Sequence, residues 1–251
     1  NNFDLAIADL NQALRLGPRF SAAYNNRGLA YNAKGDYDRA IADFDEAIRL
    51  SPRSASAYNN RGFAYSAKGD FDRALADLSQ AITINPRYAN AYLRRGLAYS
   101  AKDDPDHAIA DYTEAIKLDG KLAVAYFSRG NAFHTKKDYD RAISDLSETI
   151  ALDPKDVIAY NNRGFAYNSK GDLGRAIADY TEAIRLDPKN STIISNRARA
   201  YRDKGDYDRA AADYGEMLKL DPADANIYVN RSYLYLIKAD YERAAADLNE
   251  A

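Results

Sequence analysis

The chain has 251 residues, of which 46% are apolar and 29% charged, and its 35 basic and 37 acidic side chains give a formal net charge of -2. The absence of cysteine excludes disulfides, thiolate metal sites and cysteine nucleophiles, and two histidines, His107 and His134, leave little for a metal centre. The near-neutral charge argues against nonspecific nucleic-acid binding, and no apolar run approaches the roughly 20 residues that span a bilayer. We therefore expect a soluble chain without nucleic-acid partner, membrane insertion or cofactor, with the cytoplasm as the favoured compartment.

A 34-residue period runs through the whole sequence. The segment YNNRG that begins at Tyr24 recurs at Tyr58, and related segments follow at the same step as far as Tyr228. A partial unit at 1–20 therefore precedes six complete units and a truncated one. The complete units are 21–54, 55–88, 89–122, 123–156, 157–190 and 191–224, and the truncated unit is 225–251. We predict a single array of repeats without a linker or an inserted domain.

Each unit contains the pattern of two helices. When positions are counted from the start of each complete unit, positions 4, 7, 8 and 11 share one face of a first helix, helix A, at about 100° per residue. Glycine at position 15, as at Gly35, can end this helix in a left-handed cap, and aspartate at position 16 can cap the next helix. That second helix, helix B, carries alanine at position 20 and apolar residues at 17, 21, 24 and 28, and proline at 32 usually follows it. The predicted unit is a helical hairpin, and 1–20 supplies a helix B alone.

These positions resemble the tetratricopeptide repeat (TPR), and the units YNNRG and GDYDRAIAD are similar to its bacterial type. The family pattern has a bulky residue at 4, a small one at 8, an aromatic at 11, alanine at 20 and 27, and proline at 32. The resemblance covers the whole chain and implies an all-α fold, a right-handed α-solenoid superhelix of antiparallel hairpins whose A helices line the concave side. The departures, which we expect to loosen single joints, are Gly120 at position 32, Pro105 at 17, Asp103 and Lys137 at 15, and Thr149 and Met217 at 27.

Positions 7 and 23 carry matched opposite charges. Arginine occupies position 7 in all seven copies, and aspartate occupies position 23 in all eight B helices. In an antiparallel hairpin these two positions lie at about the same height, so we predict a partly buried ion pair within each repeat rather than a phosphate site. The predicted pairs are Arg27 with Asp43, Arg61 with Asp77, Arg95 with Asp111, Arg129 with Asp145, Arg163 with Asp179, Arg197 with Asp213, and Arg231 with Asp247. Pairing with the preceding helix B, as of Arg27 with Asp9, is the open alternative.

Positions 2, 5, 6, 9, 12 and 13 of helix A lie opposite its packing face, and the resemblance places them in the concave groove. Position 6 is mostly asparagine, and a row of amides suits an extended peptide backbone, similar to the asparagine ladder of the TPR domain of O-linked N-acetylglucosamine transferase. The alternative is a solvated surface that follows the family consensus. The predicted groove residues are Asn26, Asn60, Arg94, Asn131, Asn162, Asn196, Asn230, Phe63, Phe127, Phe165, Arg199 and Arg202.

Two more specific functions find little support in the residues. The carboxylate clamp of chaperone-binding TPR domains is incomplete, because Asn25, Leu29 and Asn90 stand where that family places lysine, asparagine and lysine. His134 has neither a plausible nucleophile nor a metal-ligand set beside it, so no catalytic residue and no metal site is predicted.

The leading hypothesis is a non-catalytic protein–protein interaction scaffold. It would bind an extended, neutral to mildly acidic peptide or protein segment in its concave groove. Two alternatives stay open: a module that self-associates end to end through uncapped solenoid ends, and the regulatory TPR domain of a longer enzyme. Because the sequence starts in one helix B and stops within another, we expect a segment of a longer array.

Overall fold

In the computed structural model, which describes residues 2–251, the chain forms fifteen α-helices and, over that range, no β-strand. The helices are α1 (Asn2–Leu16), α2 (Ser21–Ala33), α3 (Tyr37–Leu50), α4 (Ala55–Ala67), α5 (Phe71–Ile84), α6 (Ala89–Ala101), α7 (Pro105–Leu118), α8 (Ala123–Thr135), α9 (Tyr139–Leu152), α10 (Val157–Ser169), α11 (Leu173–Leu186), α12 (Ser191–Asp203), α13 (Tyr207–Leu220), α14 (Ala225–Ile237) and α15 (Tyr241–Glu250). Even-numbered helices are the predicted A helices and odd-numbered ones the B helices. The all-α prediction is confirmed.

The helices form two compact units, unit 1 up to Ala132 and unit 2 from Phe133 to Ala251. In unit 1, consecutive helices from α1 to α7 pack on one another, and consecutive helices from α9 to α15 do the same in unit 2. Each unit is thus a stack of antiparallel hairpins, which is the arrangement that the sequence predicts.

The turn inside each hairpin is built by two consecutive residues. Gly35, Gly69, Gly171 and Gly205 have φ between 76° and 85°, in the left-handed region, and the aspartate that follows each of them caps the next helix. Asp103, Lys137 and Ala239 adopt the same conformation without being glycine. The predicted caps are confirmed. The non-glycine residues at position 15 keep the same turn, although a left-handed conformation is strained for a residue with a Cβ atom.

Close approach of the two helices of a hairpin requires a small residue at position 8. A Cβ atom added to Gly96 would lie 2.6 Å from Cε1 of Tyr112, which is completely buried at position 24 of helix B. Alanine at position 20, as at Ala108, is likewise completely buried. The helices of a hairpin therefore pack through small residues, with one large side chain filling the space beside them.

The packing face of helix A is wider than the sequence predicts. Positions 3 and 10, as at Ala57 and Ala64, are fully buried, whereas Tyr58 at position 4 is only half-buried. Helix α4 explains the difference, because it packs on both α3 and α5 and so buries two arcs of its surface. A helical wheel based on a single hairpin accounts for only one of these two packing partners.

The A helices lie on the inner side of each unit. Helix α2 touches α4, α4 touches α6, and α10 touches α12, whereas no two of the described B helices make a comparable contact. Successive A helices are therefore closer together than successive B helices, so each stack curves with its A helices inside. This places the groove positions on the concave surface of each unit.

Candidate functional site

Beneath the concave surface, ion pairs join the two helices of six hairpins. In unit 1, Nε of Arg61 donates to Oδ2 of Asp77 at 2.7 Å and Nη2 donates to Oδ1 at 2.7 Å. The same two-bond geometry occurs for Arg27 with Asp43, Arg95 with Asp111, Arg163 with Asp179, Arg197 with Asp213 and Arg231 with Asp247. Both partners are largely buried, and hydrogen bonding to the carboxylates raises the pKa of Arg61 above its ordinary range.

In five of these six arginines the third nitrogen reaches the preceding repeat, and the exception is Arg231, because Gly215 occupies the acceptor position. Nη1 of Arg27 donates to Oδ1 of Asn11 at 2.6 Å, and Nη1 of Arg163 donates to Oγ of Ser147 at 3.0 Å. The acceptor is at position 25 of the preceding helix B. The alternative pairing required the aspartate at position 23 of that helix instead. The seventh predicted pair is Arg129 with Asp145. Arg129, in unit 1, donates to Thr113, and Asp145, in unit 2, is buried. Arg27, Arg61, Arg95, Arg163 and Arg197 therefore each join the two helices of their own hairpin and also bind the preceding helix B.

Exposed apolar side chains line the concave surface at position 9. They are Leu29, Phe63 and Leu97 in unit 1, and Phe165 and Tyr233 in unit 2, each between 39% and 56% exposed. Phe127, at position 5, is half-buried. Apolar groups at this exposure, repeated on successive A helices within unit 1, are a property of interaction sites.

The asparagines beside them bind one another. In unit 1, the Asn60 amide donates to Oδ1 of Asn25 at 3.1 Å and accepts from Asn59 at 3.1 Å. In unit 2, Asn196 donates to Asn161 at 3.0 Å, and Asn161 donates to Asn162 at 3.1 Å. The second member of each network occupies position 5, which the sequence analysis did not single out, although asparagine at 5 occurs only where asparagine is also at 6.

This network changes the expectation for the amide row. Asn60 is only 7% exposed and so presents little surface to a ligand, because the side chain at position 6 turns toward position 5 of the preceding helix A. Asn26 and Asn230 are exposed, and among the described residues their side chains form no hydrogen bond. Asn131, Asn162 and Asn196 are half-buried.

A small cavity opens on the concave surface of unit 1 between α4, α6 and the start of α5. Its volume is about 270 Å³, and its lining residues are Phe63, Ser66, Ala67, Phe71, Arg94, Leu97 and Ala98. The Arg94 guanidinium stacks on the Phe63 ring at 4.6 Å, and its Nη1 donates to the Asn59 carbonyl at 3.2 Å. Burial lowers the pKa of Arg94 from its ordinary value.

The corresponding surface of unit 2 has a different composition. The His134 ring lies 4.9 Å from the Phe165 ring, and its Nε2 lies 3.3 Å from the Ser169 hydroxyl. Burial lowers the pKa of His134, which favours the neutral ring at neutral pH. Arg199 is exposed, and Arg202 pairs with Asp203 at 2.9 Å. This region therefore combines aromatic and basic groups.

Five lysines at position 14 form ion pairs with the preceding repeat. Lys68 pairs with Asp38, at position 18 of the preceding helix B, and Lys34, Lys102, Lys170 and Lys238 make the equivalent pair. The position-19 arginines stack on the aromatic ring at position 11, as Arg73 does on Tyr65 at 4.4 Å. Both contacts recur with the 34-residue period, so the spacing of these residues in the sequence could have indicated them.

Within residues 2–251, no group of three or more His, Asp or Glu side chains is arranged to hold a metal ion. No described helix has the length and apolar character needed to cross a membrane.

The comparisons with known proteins agree with this architecture. One family model, described as TPR repeat, matches residues 28–69, 130–169 and 198–238. Two further models are described as tetratricopeptide repeat. The first matches residues 55–88, 89–122 and 157–190, and the second matches residues 10–42 and 179–212. A search of curated proteins found no match.

Solved structures with the same fold include the C-terminal part of a TPR repeat-containing protein from Cytophaga hutchinsonii, with a TM-score of 0.74 and 21% identity over 90% of this chain and 93% of that one. YrrB, described as a TPR protein with an unusual peptide-binding site, has a TM-score of 0.63 and 21% identity over 78% of this chain and 97% of its own. MamA has a TM-score of 0.61 and 26% identity over 68% of this chain and 94% of its own. The 34-residue hairpins and the matches along the array show that this chain belongs to the tetratricopeptide repeat family.

Proposed function

We propose that this protein is a non-catalytic scaffold that binds an extended peptide or protein segment on the concave surface of its A helices. The observation that carries the proposal is the row of exposed apolar side chains at position 9, set among polar groups. Leaving such side chains in water forgoes about 1.5–3 kcal/mol for each one that a partner could cover.

The chemistry of this surface favours an extended partner of neutral to mildly acidic character. Position 9 recurs once in each repeat, so a ligand must be long to meet several of these side chains. The unpaired amides of Asn26 and Asn230 offer donors and acceptors to a peptide backbone, and Arg94 and Arg199 provide positive charge. The peptide-binding site in the name of YrrB, a protein of the same fold, supports the same interpretation.

Selection of random linear peptides on the purified chain tests this proposal. We expect peptides to be enriched, and their affinity to fall roughly tenfold or more when Leu29→Ser or Phe165→Ser removes an exposed apolar contact. Leu220→Ser is the matched control, because Leu220 is 40% exposed, close to the 42% of Leu29, but lies at the end of a B helix. Equal affinity of the groove variants and the control, or no enriched peptide, would contradict the proposal.

A second candidate is self-association through the end faces. Leu5 and Leu16 on α1 are 67% and 79% exposed, and Leu236, Ile237 and Tyr241 of α14 and α15 are also exposed. A second copy or a further hairpin would bury these side chains. Light scattering over a range of concentrations checks this candidate, since a monomer at every concentration would count against it.

A further inference from the structure

The turns that lead from a B helix to the next A helix carry opposite charge in the two units. Three of these turns in unit 1 contain three arginines and no acidic residue, and three in unit 2 contain five aspartates and two lysines. We call the first set the basic edge and the second set the acidic edge. The basic edge is 17–20, 51–54 and 85–88, and the acidic edge is 153–156, 187–190 and 221–224. The fourth such turn of unit 1, 119–122, has one charge of each sign.

The turns of each set lie along one edge of their own unit. Because the hairpins are antiparallel, all turns from B to A helices are at one end of the stacked helices, and the turns inside the hairpins are at the other end. Both edges are built from the same 34-residue repeat, so their charged turns recur at nearly the same interval, roughly 10 Å for packed helices. Two rows of opposite charge with equal spacing can be matched one to one.

The charge of the basic edge is not balanced within unit 1. It comes from three exposed arginines, Arg19, Arg53 and Arg87. Within residues 2–251, no carboxylate forms an ion pair with any of the three. At the other end of the same stack, Lys68 pairs with Asp38, and Arg73 pairs with Asp70. The charges at that end are thus neutralised by their neighbours, whereas the basic edge keeps a net positive field.

On the acidic edge the carboxylates are held in place but have no counter-ion. Asp153 accepts from the Lys155 backbone N–H at 3.0 Å, and Asp221 accepts from the Ala223 backbone N–H at 3.1 Å. Neither these two nor Asp187 forms an ion pair with another side chain of the described range. Side chains that are already fixed lose little further conformational entropy on binding, so this edge is prepared for a partner of opposite charge.

Each edge also exposes a large apolar side chain beside its charges. Phe20, next to Arg19, is 56% exposed, and Leu152, next to Asp153, is 39% exposed. Exposed ion pairs contribute little on their own, because water screens them and their side chains lose freedom. Burial of apolar side chains beside the charges adds affinity, while the charges select the partner and its alignment.

We propose that the basic edge of one molecule binds the acidic edge of a second copy of this chain. The second copy is the partner that the two edges fit, because their excess charges are equal and opposite and have the same spacing. A lipid surface or another extended polyanion has no need of that spacing, and the acidic edge would repel it. The contact leaves the concave surface free, so it goes beyond the peptide-binding function, and it uses charges that the end faces do not.

Reversal of the charges on each edge, singly and together, tests the pairing. The arginine variant has Arg19→Glu, Arg53→Glu and Arg87→Glu, the aspartate variant has Asp153→Lys, Asp187→Lys and Asp221→Lys, and the sixfold variant has all of these changes. Each threefold variant has two edges of the same sign, so its self-association should be weaker than that of the original chain by roughly tenfold or more. The sixfold variant has complementary edges again and an unchanged net charge, so it should associate like the original chain.

Sedimentation equilibrium over about 0.01–1 mM protein measures these affinities. The original chain should self-associate in about 0.05 M sodium chloride and lose roughly tenfold or more of its affinity in about 0.5 M, where the screening length is shorter than the spacing of the charges. The matched control has Lys34→Gln, Lys68→Gln and Lys102→Gln, which remove positive charge from the other ends of α2, α4 and α6. This control should associate like the original chain, and circular dichroism checks that every variant keeps its helices.

A chain that stays monomeric in low salt, or a sixfold variant as weak as its two halves, would overturn the proposal. Association that salt does not weaken would overturn it too, because contact through the apolar end faces has that property. A monomeric chain that binds phosphatidylserine vesicles through the three arginines would assign the basic edge to a lipid surface instead. Peptide binding in the groove should be the same in all these variants, so failure of the edge contact leaves the scaffold function standing.

Discussion

The arginine at position 7 binds residues in two neighbouring repeats. In Arg163, two nitrogens bind Asp179 in the same hairpin and the third binds Ser147 in the preceding one. The planar guanidinium suits this role because its donors point in fixed directions, whereas a lysine would provide one point of charge. The same contact recurs at Arg61, Arg95 and Arg197.

Removing one partner of such a pair should cost more than removing both. We expect Asp179→Ala to lower the free energy of unfolding by about 3 kcal/mol, since it leaves Arg163 largely buried without its counter-ion, and Arg163→Met to have a similar cost. The double variant should lose much less than the sum of the two. Urea unfolding of the four proteins measures the coupling, and additive losses would show that the pair contributes little.

The non-glycine residues at position 15 offer a second test at this scale. Lys137 has φ of 61°, a conformation that glycine adopts more readily than residues with a Cβ atom. Lys137→Gly should therefore stabilise the protein by about 0.5–1 kcal/mol, and Gly171→Ala, in the equivalent turn with φ of 85°, should destabilise it by a similar amount. The midpoint of urea unfolding gives the sign. A stabilising Gly171→Ala would contradict the argument.

At the level of the helix, the N-cap aspartate of α3, α5, α9, α11, α13 and α15 also forms an ion pair with an arginine of the first turn. Asp70 accepts from the Arg73 backbone N–H at 3.2 Å and from its Nε at 2.5 Å. The bond from the Arg73 side chain is the main reason that the pKa of Asp70 lies below its ordinary value of 3.8, and the backbone bond adds to it. The folded state therefore holds this proton less tightly than the unfolded chain.

This difference gives the protein an acid-sensitive stability. Because the folded pKa is the lower one, the contribution is present above about pH 3.8 and is lost as the pH falls through the folded value. Asp70→Asn keeps a capping side chain and removes the charge. We expect the difference in thermal midpoint between the two proteins to narrow between about pH 5 and pH 2, and a constant difference would exclude the carboxylate as its source.

Helix α11 lacks the ion pair that joins α1, α3, α5, α9 and α13 to the next repeat. Position 18 of α11 is Gly174, so Lys204 has no aspartate there, unlike Lys170 with Asp140. Gly174→Asp should stabilise the protein by about 0.5–1 kcal/mol, through an ion pair, a favourable charge in the first turn and the loss of a helical glycine. Thermal unfolding measures the gain. The gain should shrink in a Lys204→Ala background, and an unchanged gain would exclude the ion pair as its cause.

At the scale of the whole chain, stability depends on how many neighbours a hairpin has. Helix α1 buries only Leu14, and α15 only Ala244 and Asp247, because each packs on a single helix. Helices α2 to α6 in unit 1 and α10 to α14 in unit 2 each pack on two chain neighbours. We expect amide hydrogen exchange to be fastest in α1 and α15 and slowest in α4 and α11, as measured by mass spectrometry. Uniform exchange across all helices would contradict nearest-neighbour stabilisation.

The sequence by itself determined the helices, the turns and the two rows of opposite charge, whereas the structure decided that the arginines pair within their own repeats. Each of these depends on residues within one 34-residue unit, such as Arg61 and Asp77, so their spacing is visible in the chain. The exposed apolar row was also predictable, since Phe63 and Phe165 lie away from the packing face of helix A.

Only the tertiary structure decided what happens between neighbouring repeats. Whether an asparagine at position 6 meets solvent or another amide depends on the distance between two A helices, as for Asn60 and Asn25. The unbalanced charge of Arg94 likewise became visible only when the structure placed Phe63 against it and no carboxylate near it. Spacing along the chain fixes a hairpin, whereas the joint between hairpins is set by packing in three dimensions, and the candidate site lies at that joint.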